Sequence, residues 1–148
     1  MSATGEPYIP ASESPKELTR RVVVVGILLG ILMTAANAYL GLKVGITVSA
    51  SIPAAVMSMI ILRTLFEDVS ILENNAVQTM ASAGESLAAG VIFTVPALLV
   101  IGIWDDIQWL DTLIIALLGV LLGTMFTISL RRLFIVEEAL TYPEGVAC

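Results

Sequence analysis

Four stretches of this chain, Val22 to Leu40, Val44 to Leu62, Leu87 to Ile103 and Thr112 to Leu130, are apolar almost throughout. Each approaches the roughly 20 residues that carry an α-helix across a bilayer core. A backbone in hydrocarbon must satisfy its own polar groups, so such runs are constrained to be helices. The chain is 57% hydrophobic and only 14% charged, whereas a soluble domain has about 25% charged residues. The expected fold class is all-α: a polytopic helical membrane protein with about four transmembrane helices. The spans fall near 22–41, 44–62, 84–104 and 111–130, after a disordered tail over residues 1–17.

Basic residues set the expected orientation, because acids contribute little to the positive-inside rule. Lys16, Arg20 and Arg21 precede the first span, Arg63 follows the second, and Arg131 and Arg132 follow the fourth. The connection from Trp104 to Asp111 has no basic residue and carries two tryptophans suited to a membrane interface. Both termini are therefore expected in the cytoplasm, with Lys43 the one dissenting charge. The formal charge of -6 comes from acids in the tail, the loops and beyond the last span, which disfavours nucleic acid as a partner. A cleaved signal peptide would explain Arg20 and Arg21 before an apolar run that ends at Ala36-Asn37-Ala38. The long acidic leader and the apolar character that resumes at once argue against it. Ser14-Pro15 offers a start for the first helix, with Pro15 in its first turn. The lone cysteine, Cys148, excludes an internal disulfide.

The third apolar run is entered through a polar segment. From Glu73 to Pro96 the pattern at about 100° per residue puts Asn74, Asn75, Gln78, Thr79, Ser82, Glu85 and Ser86 on one side. Val77, Met80, Gly84 and Leu87 lie opposite. A continuous helix from Glu73 to Trp104 would be roughly 48 Å long, beyond a hydrocarbon core of about 30 Å. The third helix is thus expected to be kinked, at Pro96 or at Gly84 or Gly90, or preceded by a polar re-entrant or interfacial helix. An ionised acid at the bilayer centre costs on the order of 3 kcal/mol, which the apolar residues from Val91 to Ile103 can offset. Glu85 is accordingly a candidate proton carrier or counter-charge, with a place among the headgroups as the alternative. Asn74, Asn75, Gln78, Ser82 and Ser86 add amide and hydroxyl groups suited to a polar solute. Interhelical hydrogen bonding is the plainer role for any one of them. Asn37, Tyr39 and Lys43 form a second polar group of pathway candidates, with interface anchoring the plainer role for Tyr39 and Lys43.

Gly26, Gly30 and Thr34 in the first span have the same spacing as Gly119, Gly123 and Thr127 in the fourth. Small residues four apart let helices approach closely in lipid, where packing replaces the hydrophobic drive. The match reads as a shared packing need or as the trace of an internal repeat. Catalysis has little to work with: the chain has no His, its one Cys is terminal, and no glycine-rich phosphate loop occurs. No enzyme activity, metal site or cofactor is expected, and Asp105, Asp106 and Asp111 read as a solvated turn.

Three pieces of sequence carry a family resemblance: Ala38 to Val56 (AYLGLKVGITVSASIPAAV), the segment from Glu73 to Pro96, and the ending Tyr142-Pro143-Glu144-Gly145-Val146-Ala147-Cys148. Together they resemble the N-terminal part of the oligopeptide transporter (OPT) family, in its prokaryotic branch related to the yellow-stripe-like metal-chelate transporters. The resemblance implies an N-terminal fragment of a secondary active transporter in the plasma (inner) membrane of a prokaryote. It implies a small peptide or peptide-like metal chelate as solute and protons as the drive. It also implies the remaining helices of the full-length transporter as partners within the lipid bilayer. Positions matching the family segments include Gly84, Glu144 and the polar candidates above. From a different class, a non-transporting membrane scaffold would use the same glycine and serine rows to assemble a complex.

Overall fold

A computed structural model describes residues 9–10 and 12–137. The expectations for residues 1–8 and for the ending from Tyr142, with Glu144, lie outside the described residues. Four α-helices follow one another: α1 Arg20–Val44, α2 Ser51–Leu65, α3 Ile71–Val100 and α4 Trp109–Arg131. A π-helical continuation, Arg132–Glu137, follows α4. The protein is an all-helical membrane protein. Three of its helices are long and apolar enough to cross a bilayer: α1, α3 and the run Trp109–Ile135, while α2 is shorter.

Local chemistry sets the helix ends. Thr19, in extended conformation, accepts from the Val22 N–H at 3.4 Å and caps α1, so the helix starts after Thr19 and not at Ser14-Pro15. Gly45 ends it in the left-handed region with φ of 76°, where a side chain would be strained, and donates its N–H to the Gly41 carbonyl. α3 opens with a capping box: the Leu72 N–H bonds the Ser70 hydroxyl and the Ser70 N–H bonds the Glu73 carboxylate. Its 30 residues then run without interruption through Gly84, Gly90 and Pro96. The polar half is therefore the first half of the same helix and not a separate re-entrant or interfacial piece.

The contacts define how the helices run. Arg21 meets Glu73, Gly26 faces Met80, Gly30 faces Ala81, and Gly41 faces Ile92. Residue numbers rise together along both helices, so α1 and α3 are parallel. Across the other pair Ser58 meets Asn74 and Ser51 meets Ser82, so α2 runs antiparallel to α3. At 1.5 Å per residue α1 is about 38 Å long and α2 about 22 Å. The shortfall is made up by residues 46–50, which are non-helical and can extend over as much as ~17 Å. The second apolar run, expected as one helix from Val44, is thus a non-helical leg followed by a short helix. Pro53 sits in the first turn of α2, where its missing N–H leaves no ladder bond unmade.

The core lies along the seam of the first three helices: Val22, Val25 and Leu29 from α1, Ala54 and Leu62 from α2, Val77 and Ala81 from α3. Small residues make the α1–α3 contact close. A Cβ on Gly26 would stand 2.7 Å from the Met80 sulfur and one on Gly84 would stand 2.9 Å from Thr34 Oγ1. α4 is different, for none of its residues is buried and nothing lies within 4 Å of a Cβ built on Gly119 or Gly123. The two glycine pairs share a sequence pattern but only Gly26 and Gly30 meet a helix among the described residues.

Gly30→Leu is expected to push α1 from α3 and cost about 1–3 kcal/mol, the usual penalty of overpacking. Gly119→Leu should cost far less in the isolated chain. Thermal unfolding of both variants in one detergent, followed by circular dichroism, compares them directly.

Candidate functional site

Two polar clusters cross the three-helix unit, one at its end and one within it. At the end, Glu73 is 1% exposed and its carboxylate gathers four donors. Arg21 Nε and Nη2 donate at 2.9 and 2.7 Å, the Thr19 hydroxyl at 2.7 Å and the Ser70 N–H at 3.2 Å. Arg21 also donates to the Asp68 carbonyl and stands 5.0 Å over the Phe66 ring. A buried charge survives only when paired and hydrogen-bonded, and here the pairing joins the start of α1, the α2–α3 connection and the first turn of α3. Sequence reading passed over this cluster, although Ser70-x-x-Glu73 is a capping-box signature.

Within the unit, Asn37 on α1 is 4% exposed. Its Nδ2 donates to the Val48 carbonyl at 2.8 Å and its Oδ1 accepts from the Val48 N–H at 2.9 Å. One side-chain amide thus satisfies both backbone groups of a residue in the non-helical leg. Irregular backbone at membrane depth is tolerated only where it is so served. Asn37, a pathway candidate by sequence, has both ends of its amide engaged in this clamp.

The polar residues of α3 do not share one face. Asn74 and Glu85 are buried, Gln78 and Ser82 half-buried, and Asn75, Thr79 and Ser86 exposed. The buried line runs Glu73, Asn74, Val77, Ala81, Glu85, cutting across the division that the helical projection placed between polar and apolar sides. α1 and α2 meet α3 along that line, and small Ala81 and polar Asn74 suit the contact as well as apolar residues do. Ser82 Oγ lies 3.1 Å from Ser51 Oγ at the start of α2, and Thr79 bonds its own helix at the Asn75 carbonyl. Lys43 donates to the Tyr39 hydroxyl at 2.7 Å, and both are exposed at the end of α1, apart from the α3 polar residues.

Glu85 stands alone. The residue is 7% exposed and takes part in no ion pair among the described residues, and its carboxylate oxygens keep access to the surface, since no buried side-chain oxygen there lacks a partner. It lies one turn past Ser82, beyond the start of α2 and level with the non-helical leg. From Glu73 it is roughly 18 Å along the helix. No cluster of three or more potential metal ligands occurs among the described residues.

Parallel apolar helices in close contact, joined by a return leg broken by non-helical backbone, define a polytopic helical membrane protein. The profile of the OPT oligopeptide transporter protein family matches residues 17–148, and the chain belongs to that family. A Haemophilus influenzae protein provisionally named an oligopeptide transporter is 54% identical over 109 residues, covering 74% of this chain and 17% of that protein. A Saccharomyces cerevisiae protein, YGL114W, with the same provisional naming, is 28% identical over 160 residues, covering 94% of this chain and 22% of its own. The chain spans about a fifth of the length of these curated relatives. No solved structure matches it.

Arg21→Met should destabilise the helical unit by about 3 kcal/mol, because it strands a buried carboxylate. The double variant Arg21→Met with Glu73→Leu should recover most of that loss, as denaturant unfolding of the three proteins would reveal. Asn37→Leu should leave two backbone groups unsatisfied, at about 1–3 kcal/mol each. Hydrogen exchange at the Val48 amide, protected in wild type and fast in the variant, reports it.

Proposed function

We propose that this chain is the N-terminal part of a secondary active transporter for oligopeptides or peptide-like metal chelates, coupled to protons. In this reading Glu85 carries the proton and further helices of the full-length protein complete the pathway. The observation that supports it most is the position of Glu85 midway along α3. Glu85 is an acid within a helix long and apolar enough to cross a bilayer, remote from the charged cluster at Arg21 and Glu73, and an acid so placed is by default a functional candidate. Family membership supports peptides as the solute class. The basic residues Arg20, Arg21 and Arg63, at one end of the unit, support a cytoplasmic N-terminus in a prokaryotic inner membrane. An enzyme activity has no support in the residue types present.

α4 favours a second reading, in which the chain is a scaffold that assembles other membrane helices, because its whole apolar surface is open. The two readings separate in vesicles that carry the complete parent protein. Scaffolding alone predicts no solute uptake at any pH gradient.

In the same vesicles Glu85→Gln should cut proton-driven peptide uptake by about a hundredfold, the scale at which a positioned proton-transfer group usually contributes. Uptake at the wild-type rate with unchanged pH dependence would remove Glu85 from the mechanism.

A further inference from the structure

A hollow of about 410 Å³ to one side of Glu73 is lined mostly by the residues of the charged cluster, whose polar groups are engaged with one another. A second one, of about 400 Å³, lies between Ile9, Glu13 and Pro15, the end of α2 and the first turn of α3. It has the size of a small-ligand pocket, whose range starts near 300 Å³, and among its lining residues Ser70 is committed to the cap of α3. Asn74 borders it and is 9% exposed. The Asn74 Oδ1 accepts from the Ser58 hydroxyl, which also lies 3.0 Å from the Ala55 carbonyl. That leaves the Asn74 Nδ2 with two N–H donors and no acceptor among the described residues. Arg63, at the end of α2, and Glu13, in the segment before α1, border the same hollow. Neither takes part in an ion pair among the described residues. Met59, Val69 and Ile71 supply apolar wall.

A guanidinium beside a free amide N–H₂ is a donor set for a carboxylate, to which arginine binds with two parallel bonds. A carboxylate on the facing segment accepts from an ammonium. A short peptide carries both groups, one at each end. We propose that this hollow binds the charged ends of a short peptide, with Arg63 and Asn74 holding its terminal carboxylate and Glu13 its amino group. The assignment rests on the peptide-transport reading but not on Glu85, which is about 16 Å further along α3. It adds a solute site at the charged end of the unit, and it makes the free termini of the peptide a condition of recognition.

Calorimetric titration of the complete transporter with trialanine, its C-terminal amide and its N-acetyl form tests the assignment. Wild type should bind trialanine about tenfold or more tightly than either blocked form, one lost charge-assisted contact being worth at least ~1.4 kcal/mol. Arg63→Gln should abolish the preference for the acid over the amide and Arg63→Lys should keep part of it. Glu13→Gln should abolish the preference for the free amine. Equal binding of acid and amide by wild type, or full discrimination by Arg63→Gln, overturns the assignment while proton-driven uptake of trialanine leaves the transport reading standing. A wild type that neither binds nor takes up trialanine overturns both.

Discussion

The Arg21–Glu73 ion pair sets the geometry on which the other features rest. It ties the first turn of α1 to the first turn of α3, so both helices start at the same end and must run in the same direction. Two consecutive crossings in one direction need a return between them, and the return must fit within the height of the pair. The chain meets this with α2, which is too short, and with residues 46–50, which are not helical. From one charge pair follow the parallel packing, the broken return leg and the need for something to satisfy that leg's backbone.

Hydrogen-bonding needs then decide which residues take structural roles. Without a hydrophobic drive in lipid, the α1–α3 contact depends on close approach, and Gly26, Gly30, Ala81 and Gly84 permit it. The Asn37 amide serves the broken leg. Glu85 and the outer half of the Asn74 amide are left without a partner on the described helices, and their polar atoms keep access to the surface. The packing of this unit does not use them.

Much of the helical layout was legible in the sequence, because apolar runs and glycine ends are local signals. The start of α3 was equally legible in Ser70-x-x-Glu73, a capping-box signature. The shortness of α2 was not legible. Hydropathy is continuous from Val44 to Leu62 and does not distinguish a helix from a non-helical leg whose backbone is served from another helix. The burial of Glu85 emerged from neither composition nor helical projection, since it depends on where α1 and α2 lie around α3. The projection sorted side chains by polarity, whereas the contact line follows size and hydrogen-bonding capacity, which is why Asn74 faces inward and Ser86 does not.

The Asn37 clamp divides evolutionary freedom unevenly between its two partners. Both of its bonds go to the backbone of residue 48, so the side chain at 48 contributes nothing to the clamp and is half-exposed besides, at 51%. Any residue that keeps its N–H could occupy that position, and only proline would break the arrangement. At 37 no such latitude exists, because a side chain needs a donor and an acceptor side by side at this one length. The joint in the return leg is thus encoded in the first helix, well away from the residues that form it.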